Sequence, residues 1–288
     1  LGDVYKRQGY TTALRNIGSI RNSGFELQLD GRIIDRAVKW DLGVNFSLNR
    51  SKVLVLSEDK DIFGGELDNT ILKDQLNLMR VGEPMYVFYG YVEDGYDENG
   101  HIVYKNMDDD PAITAADKTI IGDPNPDFLV NLTTAVSYKG FTLSAFFQSS
   151  IGNDIYSLSM AAQAYDYGSN GNTLREVYYN HWTPENPTAK YPNLDQTSYK
   201  MSDRFVYDGS FVRLKNLELA YDVPCARSKF IKRARVYVSA QNLFTITSYP
   251  FWDPDINANG GGSSMIQGVD SYCYPSARTY TIGCRLTF

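Results

Sequence analysis

The sequence predicts an all-β chain, part of a large antiparallel transmembrane β-barrel with long loops on its outer side. Three observations predict it. Segments along the chain alternate residue by residue between an apolar and a polar face. The polar faces carry Asn, Ser, Thr, Gln and Gly rather than the Lys and Glu of a solvated sheet. The links between segments alternate between short and long.

Taken in order, the first segment is 23–32, where Phe25, Leu27 and Leu29 alternate with Glu26, Gln28 and Asp30. In 39–50, Trp40, Leu42, Val44, Phe46 and Leu48 alternate with Asp41, Gly43, Asn45, Ser47 and Asn49. In 127–138, Phe128, Val130, Leu132, Val136 and Tyr138 stand against Asn131, Thr133 and Ser137. The segment 141–150 sets Phe141, Leu143, Ala145 and Phe147 on one face. Segments 210–223 and 233–245 read as strands with less clean alternation. The last, 278–288, sets Tyr280, Ile282, Cys284, Leu286 and Phe288 against Thr279, Thr281, Gly283, Arg285 and Thr287. Residues 86–104 read as a hairpin around Asp97–Gly100 standing within a long loop, and 159–166 and 173–181 as short helices.

Alternation alone fits a soluble β-sandwich equally well. Link length tips the balance. Residues 33–38, 139–140 and 224–233 are short; 51–126, 151–209 and 246–276 are long. If the strand ending at Phe288 runs toward the periplasm, every short link falls on that side and every long one outside, as in outer-membrane barrels. No run of 18 apolar residues exists, which excludes a transmembrane helix but not membrane strands.

Composition excludes several function classes. A net charge of -6 argues against a nucleic-acid partner. The three cysteines are scattered and the two histidines isolated, which leaves no metal spacing and little for a His-based site. With 34 Asp and Glu, chance carboxylate pairs are expected, and no nucleophile or phosphate-loop motif appears, so no enzyme activity is expected. Residues 1–8, LGDVYKRQ, resemble a translated sequencing-adapter remnant and are read as a sequencing or assembly artefact.

Several stretches, in order, resemble the SusC/RagA family of TonB-linked outer-membrane transporters of Bacteroidetes: NIGSIRNSGFELQL, IGDPNPDF, DGSFVRLKNLELAYDVP, SAQNLFTITSY, FWDPDI and YPSARTYTIGCRLTF. Together they span nearly all of residues 9–288. The resemblance implies a barrel of about 22 strands. Residues 9–288 are then its C-terminal section, and the N-terminal plug, TonB box and first strands lie outside the chain. It further implies a SusD-like surface lipoprotein as lid, the TonB complex as energy source, outer-membrane lipid around the wall, and an oligosaccharide or peptide cargo. The alternatives are a soluble secreted carbohydrate-binding protein or glycoside hydrolase, and a surface receptor barrel that does not transport.

Three sets of residues are candidate sites. Asn106, Asp108, Asp110 and Asp117 match positions 1, 3, 5 and 12 of an EF-hand-like loop, with Pro111 where the sharp turn wants Gly. The competing reading is a solvated acidic loop; the calcium would be structural, and no other cofactor is expected. Trp182, Trp252, Tyr165, Tyr167, Tyr178, Tyr179 and Tyr249 lie in or beside the long loops, where aromatic rings could stack on sugars or pack the loops together. Phe288, with Tyr280 on the same face, resembles the terminal aromatic signal read by the barrel-assembly machinery.

Overall fold

The structure, a computed structural model, describes residues 18–68, 72–165, 172–225, 230–256 and 265–288. Each predicted alternating segment is a strand: β1 (Gly18–Asp35), β2 (Val38–Leu56), β3 (Phe128–Tyr138), β4 (Phe141–Ile151), β5 (Phe211–Val223), β6 (Arg233–Thr247) and β7 (Thr279–Thr287). They form one seven-stranded sheet in chain order, every neighbouring pair antiparallel.

Register fixes the two faces. Phe25 pairs with Leu48, Leu27 with Phe46 and Leu29 with Val44. The stripe continues through Leu132–Phe147, Leu143–Leu219, Leu219–Val238 and Val238–Ile282. These side chains are exposed or half-buried, with Ile282 exposed by 84% and Leu29 by 58%. An apolar surface running unbroken across a whole sheet belongs in lipid. The opposite face carries Gln28–Asn45, Asn131–Gln148, Asn216–Gln241 and Ser239–Thr281. It is a wet lumen wall.

Two aromatic rows bound the apolar band. Phe25, Phe46 and Phe128 lie 6.3 and 5.8 Å apart at one edge. Trp40, Tyr138, Phe141 and Tyr221 mark the other, with Phe141 and Tyr221 rings 4.5 Å apart. From Phe128 to Tyr138 the strand advances roughly 33 Å, which at a tilt of about 45° spans about 24 Å of membrane. That equals the apolar band of an outer-membrane barrel. Trp40 also satisfies its indole, Nε1 donating to Thr134 Oγ1 at 2.9 Å.

The links sort by end. At one end, β3 turns into β4 through Lys139 and Gly140, both at positive φ (46° and 86°), the conformation a two-residue hairpin turn needs. The links β1–β2 and β5–β6 close the same end. The long links 57–127, 152–210 and 248–278 gather at the other end and build a layer of their own. It holds a four-stranded sheet (119–122, 87–90, 77–79, 62–63), a three-stranded sheet (206–208, 154–157, 269–270) and two short helices, Leu158–Tyr165 and Arg175–Tyr179. Their common core draws on all three links: Phe88 and Leu76 from the first, Tyr156 and Val177 from the second, Val269 and Ile266 from the third. The dry core of the described chain therefore lies in the loops, not behind the long sheet.

One expectation changes. The hairpin expected over 86–104 is two things. Val87–Gly90 joins the four-stranded sheet, and only Glu93–Tyr96 pairs with Ile102–Tyr104. The turn is where the sequence put it, with Gly100 N–H donating to Asp97 O at 3.0 Å.

Candidate functional site

The aromatic candidates separate by burial. Tyr178 and Tyr179, at the end of the second short helix, are 62% and 64% exposed and meet edge to face at 5.2 Å. The Arg175 guanidinium lies 5.4 Å over the Tyr179 ring. Trp252 is exposed and stacks on Phe251 at 4.8 Å. These three rings offer free faces.

The others do not. Tyr165 is buried, stacked on Tyr199 at 3.8 Å and edge-on to Phe205 at 5.1 Å. Tyr249 is buried too, its hydroxyl between Ser157 Oγ (2.8 Å) and Asp270 Oδ2 (2.6 Å). Burial pushes that phenol well above its ordinary range. Both were candidates for cargo contact and are core residues instead, because their rings fill the seam between links. Trp182 is half-buried, its ring laid across the backbone of Gly100 where a Cβ would collide. Tyr167 lies outside the described residues.

The acidic loop is built from its own hydrogen bonds. Asn106 Oδ1 accepts from Asp108 N, Asp108 Oδ1 from Asp110 N, and Asp110 Oδ1 from Ala112 N, at 3.1, 2.8 and 3.0 Å. Asp117 accepts from Met107 N and Thr114 N, both at 2.7 Å, and these bonds hold its carboxyl below the usual range. Among the described residues, no three carboxylate, His or Cys side chains converge as a metal site would require.

What the family-like stretches share is position. Arg213, from DGSFVRLKN, is buried with its guanidinium against Asp253 and Asp255 of FWDPDI and 3.2 Å from Ser276 Oγ of YPSAR. Asp253 Oδ1 also accepts from Asp255 N (2.9 Å) and Oδ2 from Ser276 N (2.9 Å). Burial pushes the Asp253 carboxyl up, but the N–H donors of Ser276 and Asp255 with Arg213 outweigh it, and the net direction is down. Asn125 of IGDPNPDF donates to Met85 O (2.8 Å), and Asp123 N donates to Asp154 Oδ2 (2.8 Å). A second ion pair, the partly buried Arg204 with Glu93, ties the Glu93–Tyr96 hairpin to the second long link; Ser202 Oγ donates to the same carboxylate at 2.6 Å. None of these partnerships was legible beforehand. An Arg inside a strand and an Asp-Pro-Asp turn forty residues on give no sign that they meet.

The lumen wall meets this layer at a recess of about 260 Å³ lined by Asn131, Gln148, Asn153, Phe211 and Asp255. Asn131 Oδ1 is buried there without a hydrogen-bond partner. Such an acceptor is expensive to leave bare and ready for a donor.

No family model matches the chain. Individual proteins do. TonB-dependent receptor P3 of Formosa agariphila is 32% identical, over 97% of this chain and 30% of its own length. The TonB-dependent receptor SusC of Bacteroides thetaiotaomicron is 29% identical over 95% of this chain and 27% of that protein. A structure of the RagAB peptide transporter matches 98% of this chain and 30% of that one, with 26% identity and a TM-score of 0.79. The chain belongs to the SusC/RagA family. It spans about 30% of the length of these relatives. A SusC/RagA protein is an outer-membrane β-barrel, which places the apolar face of the sheet in lipid and the long links outside. The relatives are receptors and transporters, not enzymes.

Proposed function

We propose that this chain supplies lumen wall and outer loops to a TonB-dependent importer of nutrient oligomers, glycans or peptides, working with a SusD-like surface lipoprotein. The observation that carries the reading is the single core shared by all three long links above a carboxamide-rich wall. A rigid outer layer joined to a polar lumen can receive cargo at its mouth and pass it along. The wall does no chemistry; its work is to offer hydrogen bonds while excluding lipid. The recess at Asn131 and Gln148 is the proposed wall contact for an uncharged polar group of the cargo, such as a sugar hydroxyl or a peptide amide. Tyr178, Tyr179 and Trp252 are the proposed outer contacts, for cargo or for the lipoprotein lid.

The test is uptake of labelled oligosaccharides and peptides by cells carrying the full-length protein, with and without TonB. Asn131→Ala with Gln148→Ala should slow uptake about tenfold at unchanged surface level, since two hydrogen-bond groups are removed. Uptake that persists without TonB, or is indifferent to both substitutions, argues against the importer. Binding without any TonB-dependent uptake would favour the receptor that does not transport.

Phe288 is 71% exposed on the outward side of the Tyr280–Leu286 stripe. We propose that the assembly machinery reads this residue, with Tyr280 on the same face of the strand. Its deletion from the full-length protein should lower surface abundance several-fold, measured by surface labelling; normal abundance would sink the idea.

A further inference from the structure

The outer face of the β1–β2 ladder changes character above the aromatic row. Without a break in register, Phe25–Leu48 is followed by Ser23–Arg50 and then by Arg21–Lys52. All of these residues share the lipid-facing side, because each step up the ladder is two residues. At a tilt of about 45°, each step rises about 5 Å, so Arg50 stands about 5 Å and Arg21–Lys52 about 10 Å above the Phe25 ring. An aromatic row marks the boundary of the hydrocarbon, and headgroups begin directly beyond it.

Arg21 and Lys52 are directly opposed across the strands, an arrangement that repels. The sheet contains a second such pair, Arg235 opposite Arg285 on the lumen side. There the protein answers with its own carboxylates: Arg235 meets Glu218 at 3.4 Å and Asp222 at 3.3 Å. On the lipid side it does not. Arg50 is held by Asp127 at 2.6 Å, but among the described residues neither Arg21 nor Lys52 is in an ion pair. Three exposed cations thus share one carboxylate at headgroup height.

We propose that Arg21, Lys52 and Arg50 form a binding site for the phosphate of an outer-leaflet lipid, seated on the outer face of β1 and β2 above the Phe25–Phe46–Phe128 row. The phosphate relieves the repulsion between Arg21 and Lys52, and the acyl chains lie along the apolar face below. Arg21 and Arg50 supply planar forks suited to phosphate oxygens, and Lys52 a point charge. The site lies outside the lumen and is independent of what the protein imports.

The test uses full-length protein in detergent, with lipid A carrying both phosphates as the probe and native mass spectrometry as the readout. Arg21→Gln with Lys52→Gln should weaken retention about thirtyfold, the effect of two charges near an anionic surface. Lys52→Arg should keep it, and Lys105→Gln, a loop cation elsewhere, should leave it unchanged. Lipid A stripped of phosphate should bind the wild type no better than phosphorylated lipid A binds the double variant. Folding is checked by the heat-dependent gel mobility of barrels; if the double variant fails it, Arg21→Gln alone should weaken retention about fivefold. Equal retention by wild type and variant, or by both forms of lipid A, overturns the proposal. So does inorganic phosphate binding as tightly as the lipid, which would make the site one for a free anion.

Discussion

Arg213 and Asp253 carry the largest local consequence of any pair in the outer layer. Both side chains are almost completely removed from solvent, at 2% and 8% exposure. Removing the carboxylate leaves a buried guanidinium facing Asp255, Thr245, Ser276 and the Phe211 ring. Asp253→Asn should therefore cost about 3–5 kcal/mol, the penalty for breaking a buried ion pair. The pH dependence has a defined sign. Asp253 is held below its ordinary value in the folded state, so its contribution is complete above about pH 4 and lost as pH falls through the folded value. Melting of the wild type should fall more steeply below about pH 4 than melting of Asp253→Asn, and parallel curves would refute the assignment. The residue scale is also where sequence reading failed most often. Tyr165 and Tyr249 have the same local chemistry as Tyr178 and Tyr179, yet one pair is core and the other surface. Only the tertiary partners, Tyr199, Phe205 and Asp270, separate them.

At the scale of elements, legibility follows periodicity. The long strands repeat a two-residue pattern for nine residues or more, and each was readable because one face meets lipid and the other water. The strands of the outer layer run two to four residues, too short for a period to form. That is why Val87–Gly90 was assigned to a hairpin with its sequence neighbours rather than to a sheet with Asn77–Met79 and Thr119–Gly122. The Glu93–Tyr96 hairpin depends on more than its own ladder. Glu93 receives Arg204 and Ser202, and Tyr96 OH donates to Lys190 O at 2.9 Å, so the hairpin is fastened to the second long link at two points. Glu93→Gln keeps the shape but removes the charge that the partly buried Arg204 needs, a loss of about 1–3 kcal/mol localised to this joint. Protease cleavage should then appear between residues 93 and 104 while the long sheet stays intact. Cleavage spread evenly over all three links would contradict a local fastening.

The described residues form a wall whose outermost strands, β1 and β7, have no further partner within this chain, and a folded cap of loops above it. These parts differ in what stabilises them. The cap is dry inside and draws its core from three separate links, so its stability requires that the wall hold those links together. The wall has no core of its own; its apolar face needs lipid or detergent, and each edge strand exposes unpaired N–H and C=O groups that lipid cannot satisfy. The cap thus cannot form before the wall, and the wall cannot remain single. Expressed alone and refolded in detergent, residues 9–288 should associate edge to edge into a broad distribution of oligomers, read by light scattering behind size exclusion. Charged or proline substitutions that block β1 and β7 should narrow that distribution without giving cooperative melting, because they leave the backbone groups unpaired. A single monomeric peak with one sharp unfolding transition would mean that the cap core stabilises the open wall unaided, and the division of roles between wall and cap would have to be reversed.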